Sequence, residues 1–83
     1  MRISELNISD YARIVALKKG DKLYRQRLIA MGLLPGTPFK VSRIAPLGDP
    51  IEIEIRGFAL SLRKAEADIL EIELLKGPAH VML

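Results

Sequence analysis

The sequence predicts an all-β fold with one inserted helix, in which about five short strands form a small barrel. Isoleucine and glutamate alternate strictly over residues 51–55, so one face of this strand is apolar and the other is acidic. The same alternation returns in residues 58–62 and 70–74. The chain has 83 residues and no cysteine, so a single domain must build its core from aliphatic packing alone.

The first strand is expected at residues 12–17, and a helix over residues 22–31 follows it. Asp21 is placed to cap this helix, because its carboxylate can accept hydrogen bonds from the free N–H groups of the first turn. Gly32 stands where a residue of positive φ ends a helix. The apolar positions of the helix recur at helical spacing and would pack across one end of the barrel. They are Tyr24, Leu28 and Met31.

The segment after the helix is rich in turn signals. Pro35-Gly36 predicts a turn with a fixed φ at its second residue and a positive φ at its third. A strand is expected at residues 39–44, followed by a second loop over residues 45–50. Arg56-Gly57 then predicts a tight hairpin turn between the next two strands.

Residues 63–68 have length for only one helical turn before the last strand, which is typical of SH3-like barrels. Five short strands with a one-sided apolar face cannot remain a flat open sheet in so small a protein. Closure buries that face and removes most of the strand edges. We therefore predict a small SH3-like barrel of about five strands in residues 1–75, followed by a C-terminal tail at residues 76–83.

Three motifs in order resemble the ferrous-iron transport protein A (FeoA) family. They are Arg-Leu-x-x-Met-Gly-Leu-x-Pro-Gly at residues 27–36, Ala-Pro-Leu-Gly-Asp-Pro at residues 45–50, and Leu-Ser-Leu-Arg-Lys-Ala-Glu-Ala at residues 60–67. The resemblance continues through residues 69–74 and covers nearly the whole chain. It implies an SH3-like barrel and a cytoplasmic accessory protein of FeoB, the bacterial membrane protein with an N-terminal GTP-binding domain that imports Fe²⁺.

Reactive side chains are few, so we expect neither an enzyme nor a bound cofactor. The four serines have no local base, and the one histidine, His80, lies in the tail. One histidine without cysteine cannot build, in a single chain, the two-histidine, one-carboxylate site that ferrous iron commonly occupies. Asp49, Glu52 or Glu54 could form only a weak surface site with water. No metal site is predicted.

Positive charge is concentrated in the first half of the chain. Residues 1–43 carry nine lysines or arginines and three acids, whereas residues 44–83 carry four and seven. A basic patch of this kind suits phosphates, anionic lipid or an acidic protein face, or it is simply a solvated surface. Neither a secretory signal nor an apolar run of about 20 residues is present. We expect a cytoplasmic protein that is not inserted in a membrane.

Nucleic-acid binding is the main alternative, because small barrels often bind nucleic acid with stacked aromatic rings beside basic residues. Phe39 and Phe58 are expected in the core, however, and Tyr24 on the apolar stripe of the helix. Only Tyr11 is expected to be free, and the outward strand faces are acidic. We therefore predict a protein partner and no nucleic acid. An SH3-like nucleic-acid-binding or metal-repressor-type accessory domain is the alternative.

The predicted partner surface lies on the helix and on its flanking loops. Ile29 lies about 130° around the helix from the centre of the apolar stripe, on the same side as two cations. An exposed isoleucine is ordinary, but one framed by cations suits an acidic, grooved partner. Leu47 is a second candidate, since nothing obvious buries it. The full predicted set is Lys22, Arg25, Ile29, Leu33, Leu47 and Asp49. Besides binding to FeoB, weak association of the chain with itself is the other interaction that the sequence allows.

Overall fold

The structure, a computed structural model, describes residues 1–77. Its elements are, in chain order, a 3₁₀ turn (Ile3–Glu5), β1 (Tyr11–Leu17), α1 (Lys22–Ala30), β2 (Pro38–Ile44), β3 (Ile51–Ile55), β4 (Phe58–Leu62), α2 (Lys64–Ala67) and β5 (Leu70–Leu75). Each strand predicted from the sequence is confirmed to within one residue at either end. Only Lys76 and Gly77 of the predicted tail belong to the described residues. His80 lies outside them.

The five strands form one antiparallel sheet in the order β4-β3-β2-β1-β5. Register shifts at Val15, in the pairing of β1 with β5, and at Ser42, in the pairing of β2 with β3, bend the sheet around its core. The curled five-strand sheet with one inserted helix confirms the predicted fold. Within residues 1–77 no ladder joins β4 to β5, so both remain edge strands.

The hydrophobic core of the described residues is aliphatic apart from Phe39. The alternation in β3 is confirmed, because its three isoleucines are buried while Glu54 is exposed. Every strand contributes fully or almost fully buried side chains, each stabilising the fold by about 1.5–3 kcal/mol. They include Ile14, Val41, Ile53, Leu62 and Ile72.

The prediction for Phe58 is wrong. It was expected in the core beside Phe39, but its side chain is 47% exposed whereas that of Phe39 is 3% exposed. Phe58 directly follows the Arg56-Gly57 turn, at the outer end of an edge strand. The turn itself is confirmed, since Arg56 and Gly57 have φ values of 49° and 86°, as a type I′ hairpin requires. Ile55, which lies opposite Phe58 on β3, is only 2% exposed, so Phe58 is uncovered because β4 has a neighbouring strand on one side only.

Candidate partner-binding surface

The N-terminal end of α1 is fixed by the predicted cap. One carboxylate oxygen of Asp21, Oδ1, accepts hydrogen bonds from the backbone N–H of Leu23 at 2.8 Å and of Tyr24 at 3.3 Å. These bonds satisfy two of the donors that every helix leaves free in its first turn. The cap therefore sets where α1 begins.

The inner face of α1 is held by the predicted stripe. Leu28 is fully buried, and Tyr24 and Met31 pack partly buried against the core. On the outer face, Ile29 is 46% exposed, with the exposed side chains of Lys22 and Arg25 on the same side of the helix. The sequence-based assignment of Ile29 to the solvent face is confirmed. Its role in binding stays a prediction.

Leu33 must be removed from the predicted partner surface, because its side chain has no exposed area. Gly32, with φ of 86°, turns the chain back toward the barrel after α1. Its N–H bonds the carbonyl of Ile29 at 2.9 Å, and the N–H of Leu33 bonds that of Leu28 at 3.0 Å. This pair of bonds is a Schellman motif, in which the residue after the glycine packs against the last helical turn. Leu33 is thus a core residue.

The loop between β2 and β3 presents Leu47 to solvent. Backbone bonds from Gly48 N–H to the Ala45 carbonyl, at 2.7 Å, and from Ala45 N–H to the Pro50 carbonyl, at 3.1 Å, close the loop. Leu47 lies at its tip and is 96% exposed. A leucine held so far out by an ordered turn is available for contact with another molecule.

Asp49 is on the surface, as predicted, but its carboxylate already has a partner in the fold. Its Oδ1 accepts a hydrogen bond from the backbone N–H of Lys64 at 3.0 Å. This bond joins the β2–β3 loop to the first turn of α2. The structural contact accounts for an aspartate here without any binding role.

An open cavity of about 470 Å³ lies beside this junction. Glu66 forms part of its wall, with its side chain only 3% exposed. Glu66 Oε1 accepts a hydrogen bond from the Arg63 N–H at 3.3 Å, and Oε2 lies 3.3 Å from Arg27 Nη1. The Arg27 contact is an ion pair by distance, although Oε2 has no well-aligned hydrogen bond. The lining residues are Arg27, Asp49, Pro50, Ser61, Arg63 and Glu66.

The predicted surface residues do not form one continuous site. Arg27 and Ile29 are two residues apart and therefore lie about 160° apart around α1. Asp49 shares the cavity with Arg27, so it belongs to the other side of the helix from Ile29. The structure thus presents an outer α1 face with Ile29, and separately a cavity side with Asp49.

The described part of the chain has no cluster of three or more His, Cys, Asp or Glu side chains that could hold a metal ion. In the same residues, no helix has the length and apolar character needed to cross a membrane. The surface of the described residues carries cationic side chains, single exposed apolar side chains and the polar cavity beside Asp49.

A family model for the FeoA domain matches residues 1–74. The chain belongs to the FeoA family. It is 38% identical over 79 residues to the Fe(2+) transport protein A/Fe(2+) transporter FeoB fusion protein of Porphyromonas gingivalis. That alignment covers 95% of this chain but only 9% of the fusion protein. The FeoA family is one of small transport-associated domains and is not a known enzyme family.

Solved structures agree with this assignment. Iron(II) transport protein A from Clostridium thermocellum superposes with a TM-score of 0.82 and 39% identity, over 90% of this chain and 46% of that one. FeoA of Stenotrophomonas maltophilia, solved with zinc and described as an SH3 domain protein, matches with a TM-score of 0.76 over 88% of this chain and 89% of that one. At 21% identity, this second likeness supports the SH3-like fold alone.

Proposed function

We propose that this FeoA-family chain is a small cytoplasmic accessory protein of bacterial ferrous iron uptake. It binds the cytoplasmic part of a FeoB-type transporter by protein–protein contacts, and this docking modulates uptake or nucleotide turnover. The proposal needs no catalytic group in the chain. It needs only a stable surface that the transporter can recognise.

The observation that carries the proposal is the fusion protein of Porphyromonas gingivalis. There a segment similar to nearly all of this chain is part of the same polypeptide as an Fe(2+) transporter FeoB. Linking two modules holds them at an effective concentration of about millimolar without any new contact. A separate FeoA chain must obtain the same proximity through affinity, so it needs a docking surface.

We place that surface on the outer face of α1 and at the tip of the β2–β3 loop. Ile29, flanked by Lys22 and Arg25, combines an apolar anchor with two cations, which suits an acidic groove. Leu47 supplies a second apolar contact on another element. None of these four side chains is needed for the core, so their chemistry can suit a partner without a loss of stability.

Ile29→Glu tests the α1 surface, with Ile8→Glu as its matched control. Both isoleucines are exposed, at 46% and 55%, but Ile8 lies in the loop before β1. Both variants should keep the free energy of unfolding within about 0.5 kcal/mol of the parent. Only Ile29→Glu should lose co-purification with the cytoplasmic domain of a FeoB-type transporter. Normal binding by a folded Ile29→Glu variant would move the surface elsewhere, and failure of the parent chain to bind would reject the proposed function.

The alternative, an SH3-like nucleic-acid-binding or metal-repressor-type accessory domain, has one observation in its favour. Phe58 is half exposed beside the cationic Arg56, and an exposed ring can stack on a base. Tyr11 is partly buried, and Lys40 Nζ lies 5.6 Å from the centre of its ring. Glu54 next to the hairpin would also repel phosphates. We therefore favour the protein partner.

A further inference from the structure

The β4 strand has one paired edge and one open edge. It pairs with β3 in a regular register that begins with Ile55 opposite Phe58, directly after the two-residue turn. In such a hairpin these flanking residues form a hydrogen-bonded pair, and the pairing then alternates along the strand. The N–H and C=O groups of Ala59 and Ser61 therefore point away from β3. Among residues 1–77, none of these four groups has a hydrogen-bond partner.

This open edge lacks the usual protection against strand pairing. Natural edge strands are commonly guarded by charged side chains, proline or a bulge. The other edge strand, β5, carries Glu71 and Glu73. By contrast, β4 contains only Phe, Ala, Leu and Ser, and its pairing with β3 has no bulge. In the described part of the chain, β3 is the only strand that pairs with β4.

We propose that the open edge of β4 receives an extended segment of the docking partner, which adds to the sheet as a sixth strand. This inference rests on the proposed function, because the partner is the cytoplasmic part of the FeoB-type transporter. The segment is apolar in its middle and acidic at its ends. The backbone of this segment would form hydrogen bonds with the backbone of Ala59 and Ser61. Its side chains would contact the side chains on the two faces of β4.

The apolar middle follows from the side chains beside the edge. Phe58 is 47% exposed and Leu60 is partly buried, and both lie on the core-facing side of β4. An incoming strand at about 4.8 Å would bring its own alternate side chains against these two residues. On the opposite face Ala59 and Ser61 are small and exposed, so they leave room for the added strand.

The acidic ends follow from the charges at either end of β4. Arg56 lies in the turn before the strand, and Arg63 and Lys64 follow directly after it. Arg63 has no ion pair within the described residues, and with Arg27 it lines the cavity next to Ser61. A carboxylate entering the cavity can be met by the guanidinium group of Arg63, since arginine binds carboxylates well, whereas Arg27 is already paired with Glu66.

The acids near this edge form no ion pair with Arg56, Arg63 or Lys64 within the described residues. Glu66 is buried and bonded to the Arg63 backbone, and Asp49 is bonded to the Lys64 backbone. Glu52 accepts a hydrogen bond from Ser42, and Glu54 lies opposite Lys40 on β2. Glu52 and Glu54 lie opposite the middle of β4. The proposed segment carries no acid at that point.

A second copy of this chain suits the edge less well. Two β4 strands pairing antiparallel over their full length place Phe58 opposite Leu62, and hence Arg56 opposite Lys64 at both ends. Like charges directly opposite each other destabilise a strand pair. Charge complementarity thus favours a different, acidic segment.

Hydrogen exchange tests the proposal without altering the chain. In free protein, the amides of Ala59 and Ser61 should exchange quickly while those of Leu60 and Leu62 are protected by β3. Adding the cytoplasmic domain of a FeoB-type transporter should slow exchange at Ala59 and Ser61. Binding of that domain without protection at these two amides would overturn the inference and leave the proposed function standing. Absence of any binding would overturn both.

Ser61→Pro removes one outward N–H group and no bond to β3, so an edge strand should tolerate it. It should weaken binding about tenfold or more, whereas Ser61→Ala, which keeps the N–H, should stay within about twofold. Equal affinities for the two folded variants would overturn the inference. Sedimentation of the free protein shows whether the chain associates with a second copy of itself. Protection of Ala59 and Ser61 that rises with protein concentration would assign the edge to a second copy instead, and would also overturn the inference.

Discussion

Replacing Leu33 by alanine should destabilise the protein severely, although the sequence alone suggested that this residue contacts a partner. The side chain of Leu33 is fully buried, and the following residue, Leu34, is 45% exposed. The same substitution at two adjacent leucines therefore separates core packing from surface contact. Leu33→Ala is the perturbation and Leu34→Ala its matched control.

The magnitude follows from burial. Truncating a fully buried leucine costs about 2–5 kcal/mol, which includes the cavity left behind. A chain of this length has a free energy of unfolding of about 4–12 kcal/mol in total, so the loss is a large fraction of it. For a domain of this size each kcal/mol lowers the melting temperature by about 4–8 °C, so a drop of at least about 8 °C is expected. Leu34→Ala should change the free energy of unfolding by about 0.5 kcal/mol.

Urea unfolding followed by circular dichroism measures both variants, with the midpoint and the slope fitted separately. The binding assay with the transporter domain is then run at a temperature where Leu33→Ala is still folded. The expected result is a much lower midpoint and retained affinity in the folded fraction. Normal stability with lost binding for Leu33→Ala would refute the burial argument and return Leu33 to the partner surface.

Three further outcomes are expected. Titration calorimetry of the purified protein with Fe²⁺ should show weak binding or none, and one site of sub-micromolar affinity would contradict the predicted lack of a metal site. Duplex DNA should bind feebly at low salt and release at physiological ionic strength, whereas tight binding at that salt would favour the nucleic-acid alternative. Arg56→Asn should raise the melting temperature, because asparagine accepts the φ of 49° at this turn position more readily than arginine. A lower melting temperature would instead mean that the arginine side chain stabilises the hairpin.

Local rules predicted most of the fold. The cap at Asp21, the helix end at Gly32 and the turn at Arg56-Gly57 each depend on a few adjacent residues whose backbone preferences agree. The alternation in β3 likewise identifies its buried face without reference to other strands. These features are confirmed because no distant contact competes with them.

Leu33 could have been assigned correctly by the same reasoning. A glycine that ends a helix in a Schellman motif is commonly followed by an apolar residue that packs against the last turn, here Leu28. Gly32 therefore predicts a buried residue at position 33 as well as the end of α1.

Phe58 and Glu66 could not be assigned from local sequence. Phe58 is half exposed because β4 has a neighbour on one side only, and strand order is a property of the whole sheet. The burial of Glu66 depends on Arg27, which is 39 residues away and lies on a different helix. Long-range pairings of this kind leave no periodic trace in the sequence.

The attachment of α1 explains how one helix can serve both fold and partner. Its start is fixed by Asp21, its end by the glycine motif, and one flank by the contact of Arg27 with Glu66. All three contacts lie at the ends or on the inner side of α1, so the side chains on its outer face do not hold the helix in place. A surface held rigid by contacts elsewhere loses little conformational entropy when it binds. Side chains such as Ile29 can therefore change to suit a partner while the barrel beneath remains the same.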